Sequence, residues 1–534
     1  MNRVKLNGIF KDNMVFQWGT EVRVFGKAEE PCYICVQIIK DEELVDEVQV
    51  QTADDNTFIA GLKPIAKPDG PFEFRIYSFA DGESEWSVED IISECYAGEV
   101  WLASGQSNME YPLVRSEYAK YELEKTPRTE IHFYNVPMAG AMDEAQQNAE
   151  EDSAWVVIDS ETARDMSGVA FFFARSLEER IDSKIGIIGC YVGGTSISCW
   201  LSLDKLTSTP EGKKFKSDFD RQAAILTDDE YDGLVRDYEK RVNEYNLRLN
   251  AILSVNPYTT YSVADEKLGA FVWQAPVSYK APIHPGAMFE CMIKRIAPFN
   301  IRGVIFYQGE TDCGDHAGLY GPVFASLIEE WREVFVNPDM PFIFCQLPMY
   351  ISKERKFMDY DDMAWPKLRE QQENVAKSVK NTYMTVIADC GEFDNIHPSD
   401  KKTPGRRMAA MALKYVYGYS DIPAKAPYII DARRGDGVEV TFGGDFLLLN
   451  LITGFDSDET GFEIAGEDGE FYRAGASVDF DGKTVILTCP RVEFPVKVRY
   501  GYFSYGVMPL YADNGLAAAP FSVTVEKELG GSKG

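Results

Sequence analysis

Long apolar runs are missing from this 534-residue sequence. None reaches the ~18 residues of a membrane-spanning helix, and the opening Met1-Asn2-Arg3-Val4-Lys5 is not followed by a signal-type apolar core. The chain is therefore expected to stay in the cytoplasm. Positive charge is also short: 54 Lys and Arg face 85 Asp and Glu, for a formal charge of −31. Such a balance repels phosphate backbones and anionic leaflets, so neither nucleic acid nor a membrane surface is an expected partner. Ten cysteines are too few for a disulfide scaffold, and Cys190, Cys345 and Cys489 lie in apolar runs where thiols act as small hydrophobes. Cys32 and Cys35 have C-x-x-C spacing, but strand alternation sends the two sulfurs to opposite faces, and no second Cys/His pair follows nearby. The sequence also lacks G-x-x-x-x-G-K-[ST] and a G-x-G-x-x-G after a strand, which removes the usual footing for nucleotide chemistry. No repeat of 20–50 residues and no low-complexity block occurs.

What is present divides along the chain. Residues 1–95 alternate in period two, as in Phe72-Glu73-Phe74-Arg75-Ile76-Tyr77, and predict an antiparallel β domain. From about 96 to 420, buried-strand runs at 100–103, 185–188 and 303–307 alternate with helical stretches, the pattern of a parallel α/β sheet. Within it, 204–268 is a polar insertion whose Leu234, Tyr238, Val242, Tyr245, Leu249 and Ile252 recur every three or four residues. It predicts an amphipathic helix packed on the α/β core. Short alternating strands return over 421–526 as a C-terminal β domain, and 527–534 reads as a flexible tail. The acidic stretch from Asp456 to Gly461 approaches a calcium-loop spacing, but its flanks are strands and Thr460 stands where Asp or Asn is usual; it reads as a solvated loop.

Ligands of open parallel sheets bind beyond the carboxyl ends of the strands. Three segments there carry unusual chemistry. Ser107, in Gly105-Gln106-Ser107-Asn108-Met109, sits where a strand-to-helix turn exposes a hydroxyl, which makes it a candidate nucleophile; a plain helix N-cap is the competing reading. Gly193 and Gly194, before Thr195, permit close backbone approach and an N–H aimed at a developing oxyanion. Gln308 follows a five-residue apolar strand, so its amide is either bonded to a neighbouring loop or aimed into the cleft.

A serine nucleophile needs a base, and there are four histidines. His132 alternates within a strand. His284 and His316 lie in loops that remain open as alternatives. His397, in Asp394-Asn395-Ile396-His397-Pro398, is the best base on spacing, because a carboxylate three residues earlier on a tight loop suits an imidazole.

These blocks occur in order across one α/β region. With Phe10-Lys11-Asp12-Asn13-Met14, Gly98-Glu99-Val100-Trp101, Gly405-Arg406-Arg407 and Asn514-Gly515-Leu516, they resemble the SGNH hydrolases, specifically the sialate O-acetylesterase family. The resemblance implies an SGNH-type three-layer α/β domain flanked by sandwich or jelly-roll-like β domains. It also implies a carboxylic ester hydrolase in which Ser107 is the nucleophile, His397 the base and Asp394 its orienting acid. The oxyanion hole would combine Gln308 with the N–H groups of Ser107 and of Gly193 or Gly194. Asp394 would then raise the imidazole's pKa to or above its usual ~6.5. Asn108, Glu290, Glu310 and His284 are the remaining candidates for substrate contact. No cofactor and no metal is implied. The expected partner is an O-acetylated sugar or oligosaccharide, sialic or hemicellulosic. A relict carbohydrate-binding protein and a thioesterase or lipase are the rival classes.

Overall fold

The computed structural model describes residues 3–80, 83–140, 144–269, 271, 273–358, 360–435, 437–452 and 459–526. The expected tail at 527–534 and Asp456 to Asp458 of the acidic loop lie outside them. The chain forms two compact units, one of residues 1–308 and 322–342, the other of residues 309–321 and 343–534.

The first unit is organised by one long strand, Ser87–Gly105. Its first half pairs antiparallel with Asp69–Phe79, and that strand continues to Tyr33–Lys40 and Glu43–Gln51. Its second half is the centre of a parallel sheet, flanked by Ile185–Tyr191 and Gly303–Tyr307. Beyond Ile185–Tyr191 lie Ile131–Asn135, parallel, and Trp155–Val157, antiparallel. The boundary expected at 95/96 falls inside this one strand, close to where its partners change from the antiparallel Asp69–Phe79 to parallel strands. The central strands are apolar and buried throughout, as a sheet covered on both faces demands. The helix Gly168–Glu178 supplies Val169, Phe171, Phe173 and Leu177 to the core and is capped by Ser167 Oγ on the Ala170 N–H at 3.1 Å.

Motif residues near the start brace this sheet. Glu99, buried, accepts two bonds from Arg302 at 2.7 and 3.0 Å and one from Trp18 Nε1 at 2.6 Å. His132 is the strand residue its alternation predicts; its Nδ1 meets the Asn13 carbonyl at 2.6 Å, and burial pushes its pKa down to about 4.

The insertion differs from expectation. It holds three longer helices, Pro210–Ala223, Asp228–Val255 and Tyr261–Leu268, the second opened by a Thr227/Glu230 capping box. Tyr245 and Leu249 pack on Ala264 in a small core of their own, while Leu234 stays exposed. So sparse an apolar stripe suffices to pair two helices, not to cover a sheet face.

In the second unit, the strands Phe342–Gln346 (all but its first residue) and Thr382–Val386 and the helices Ala364–Ser378 and Lys402–Tyr415 precede two four-stranded antiparallel sheets. One is ordered Tyr428–Arg434, Val438–Gly443, Thr484–Thr488, Gly475–Val478; the other Phe471–Arg473, Phe462–Ala465, Lys497–Tyr500, Phe521–Thr524. Both sheets share one core with Met349, Val386 and Ala388. The division expected at 420/421 is therefore crossed by a continuous apolar cluster. All ten cysteines are free.

Candidate active site

Strand register brings the first three sequence blocks to one edge. Gly105 is aligned with Tyr191 on one side and Tyr307 on the other, so the loops at Gln106, Val192 and Gln308 leave the parallel sheet side by side. Gly105 has φ +138°, and a Cβ there would fall on the Tyr307 carbonyl. Only glycine fits, and the chain turns at once into the short helix Ser107–Glu110. Its N-cap is Gln106, without a side-chain cap; Ser107 is the first helical residue and not the cap. Ser107 is partly exposed, whereas Asn108 is completely buried.

Two of the residues expected to form the oxyanion hole, Gln308 and Gly193, make hydrogen bonds within the protein. Gln308 is 1% exposed, and its Nε2 donates to Gln106 Oε1 at 3.3 Å and to the Thr195 carbonyl at 3.2 Å. Of the two alternatives open to this amide, bonding to neighbouring loops is the one observed, because a buried amide must spend its hydrogens on protein acceptors. Gln308 staples the Ser107 turn to the Gly-Gly turn. Gly193 donates its N–H to Glu110 Oε2 at 2.6 Å. Gly194, exposed and at φ +74°, has no acceptor for its N–H among the described residues.

Two candidates of this unit lie in other settings. Glu290 is exposed and paired with Lys294 one helical turn on, at 2.7 and 2.9 Å. The His284 Nδ1 lies 3.0 Å from the Pro285 carbonyl. Residues the sequence reading passed over include Glu110, whose carboxyl burial pushes up in pKa, and Tyr111, stacked edge-to-face on Tyr261 of the insertion at 5.1 Å.

The second unit holds the histidine loop. Glu392 organises it: Oε1 accepts the Ser399 N–H and hydroxyl at 2.6 and 2.8 Å, and Oε2 accepts Asn395 Nδ2 at 2.6 Å. Asn395 in turn clasps the His397 backbone, donating to its carbonyl and accepting its N–H, both at 3.0 Å. Asp400 Oδ1 caps the following helix on the Lys402 and Thr403 N–H groups at 2.9 Å each. Asp394 departs from its expected place. It is exposed, at φ +56°, and its carboxylate accepts the Lys353 N–H at 2.8 Å; no bond to His397 is among its contacts.

The electrostatics of His397 follow. Burial, then the Lys401 ammonium, push the imidazole down to about 4. The expected upward shift is reversed, first by desolvation of the ring and then by the Lys401 cation. Lys401 is fully buried, and desolvation lowers it to about 8 against the opposing pull of Glu310, Glu392 and Asp400. Glu310 is 6% exposed, which suits bracing this charge better than touching substrate. His316 lies in the same unit, at the start of the turn Ala317–Leu319. Among the described residues no group of His, Cys, Asp and Glu is placed to hold a metal ion, and no helix is long and apolar enough to cross a membrane.

A family model described as carbohydrate esterase, sialic acid-specific acetylesterase, matches residues 97–254 and 266–414. The chain belongs to that family. It is thereby a carboxylic ester hydrolase. Among curated proteins it is similar to the sialate O-acetylesterase of Mus musculus, 24% identical over 406 residues that cover 72% of this chain and 68% of the relative. It is also similar to that of Homo sapiens, 25% identical over 409 residues, 72% of this chain and 65% of the relative. Among solved structures, a carbohydrate acetylesterase from Xanthomonas citri has the same fold, with a TM-score of 0.71 at 24% identity, covering 97% of this chain and 99% of that one. The match to the family covers both the Ser107 turn and the His397 loop.

Proposed function

We propose that this family member is a serine esterase that removes O-acetyl groups from carbohydrate through an acetyl-serine intermediate. Ser107 Oγ attacks the ester carbonyl while His397 takes its proton. The tetrahedral intermediate collapses, and the sugar oxygen leaves as a hydroxyl with the proton His397 returns. Water, deprotonated by His397, then attacks the acetyl-serine, and acetate departs as Ser107 regains its proton. The observation that carries this reading is the turn at Gly105, which only glycine can occupy and which sets a partly exposed serine at a sheet edge beside Gly193 and Gly194. Stabilisation of the oxyanion falls to backbone N–H groups, with Gly194 as the donor that the protein leaves unspent; Gln308 and Gly193 act by holding the turns.

Family membership favours O-acetylated sialic acids as substrates. A second reading, neutral acetylated hemicellulose oligosaccharides, is favoured by the −31 charge and by Arg115. This cation, the nearest in sequence to Ser107, spends Nη1 on the Pro257 and Thr259 carbonyls at 2.7 and 3.4 Å, which leaves it less of the fork a sugar carboxylate needs.

The deciding experiment measures acetate release from O-acetyl sialic acids and from acetylated xylo-, xyloglucan- and manno-oligosaccharides, beside 4-nitrophenyl acetate. Ser107→Ala and His397→Ala should each lose activity by about 10³-fold or more with the melting temperature nearly unchanged. Substantial turnover by Ser107→Ala would overturn the mechanism.

A further inference from the structure

The glycine pair beside the nucleophile has no side chains with which to hold itself, and glycine gives a turn the most conformational freedom of any residue. Yet its place is closely set: an ideal Cβ on Gly193 would lie 3.4 Å from Ser107 Cβ and 3.0 Å from Glu110 Oε2. The restraint on it is Glu110, the last residue of the helical turn that Ser107 begins. One carboxylate oxygen accepts the Gly193 N–H at 2.6 Å. No other hydrogen bond is made by this carboxyl among the described residues. Burial, and with it the Glu110 carboxylate, raises the pKa of the phenols of Tyr191, at the strand end, and of Tyr261, in the insertion.

We propose that Glu110 is a positioning residue for the esterase reaction, clamping the Gly193 amide so that the Gly193–Gly194 turn stands fixed against Ser107. The inference rests on Ser107 being the nucleophile. It has a direct consequence for the oxyanion: the Gly193 N–H is consumed in making the clamp, and the backbone donor from this turn is Gly194. Glu110 acts through the turn and not on the reacting atoms, so its loss is felt in kcat through misplacement of a donor and not in binding of the sugar.

The test is steady-state hydrolysis of 4-nitrophenyl acetate by Glu110→Ala, Glu110→Asp and Glu110→Gln, with Ser107→Ala in parallel and melting temperatures for all. Glu110→Ala should lower kcat by about 10-fold or more, as a misplaced catalytic geometry does, with KM within about threefold. Glu110→Gln keeps an acceptor oxygen at the same reach and should restore most of kcat. Glu110→Asp, which retains the charge but shortens the reach, should resemble Glu110→Ala and serves if the alanine variant fails to fold. Full kcat in both the alanine and aspartate variants, a change in KM alone, or failure of glutamine to rescue would each overturn the proposal. Activity surviving in Ser107→Ala would instead sink the nucleophile assignment, so the two failures are told apart.

Discussion

The Ser107 turn and the His397 loop are built on opposite principles. The first starts from backbone, a glycine that no side chain can replace and two flanking strands in fixed register, with the Gln308 and Glu110 side chains tying adjacent turns to it. The second is set by side chains: Glu392, Asn395 and Asp400 spend their oxygens on loop donors and hold a histidine whose ring is desolvated beside Lys401. A nucleophile must be placed to within fractions of an ångström, which close packing achieves. A base needs in addition a tuned pKa, which desolvation and charged neighbours supply together.

The sharpest way to break the first region is Gly105→Ala. The added methyl has nowhere to go but into the Tyr307 carbonyl, so the variant should lose about 4 kcal/mol or more of stability, or fail to fold, which thermal melting would register. In the second region, Glu392→Ala should cost about 2 kcal/mol, because it leaves the Ser399 and Asn395 donors without their acceptor. It should also lower kcat about 10-fold by loosening the clasp on His397, with Glu392→Gln falling between.

A milder break concerns charge. With the imidazole at about 4, His397 is neutral and competent as a base through most of the acid range. The acid limb of kcat/KM should therefore fall near pH 4 and not near 6.5, and Lys401→Met should move it upward by removing the repelling cation. A limb unmoved by Lys401→Met would assign it to another group; Glu110 is the rival, excluded if the limb persists in Glu110→Gln. The smallest effect is expected at Asp394. Its carboxylate serves the Lys353 N–H, so Asp394→Asn, which keeps an acceptor, should change kcat by less than about threefold. A loss of several orders of magnitude would show that the carboxylate turns to the imidazole during the reaction.

Much of this was legible in one dimension. The three loop blocks could be read because apolar runs end abruptly in Gly, Ser and Gln, and a parallel sheet must bring such ends to one edge. His132 was separable from the other histidines by strand alternation alone. The roles within the blocks were not legible. Asn108 and Ser107 are neighbours in sequence, yet one is buried and the other partly exposed, a difference decided by which side of a four-residue helix meets the core. The 95/96 division lies within one strand and the 420/421 division within one apolar cluster for a related reason: periodicity reports local exposure, whereas a strand's partners or a shared core are relations between distant residues.

The sequence by itself determined the chemistry available: one serine after a strand-end glycine, a glycine pair, a buried-strand glutamine, and a histidine in a carboxylate-rich loop. Residue type and spacing suffice for that, because they are covalent facts. Only the tertiary structure decided who bonds whom. It gave the Gly193 amide to Glu110 and the Gln308 amide to Gln106 and Thr195; it turned Asp394 toward Lys353 and set Lys401 beside His397. Those partners are separated by up to about two hundred residues, and hydrogen bonds and desolvation depend on distance and burial, which no linear pattern encodes.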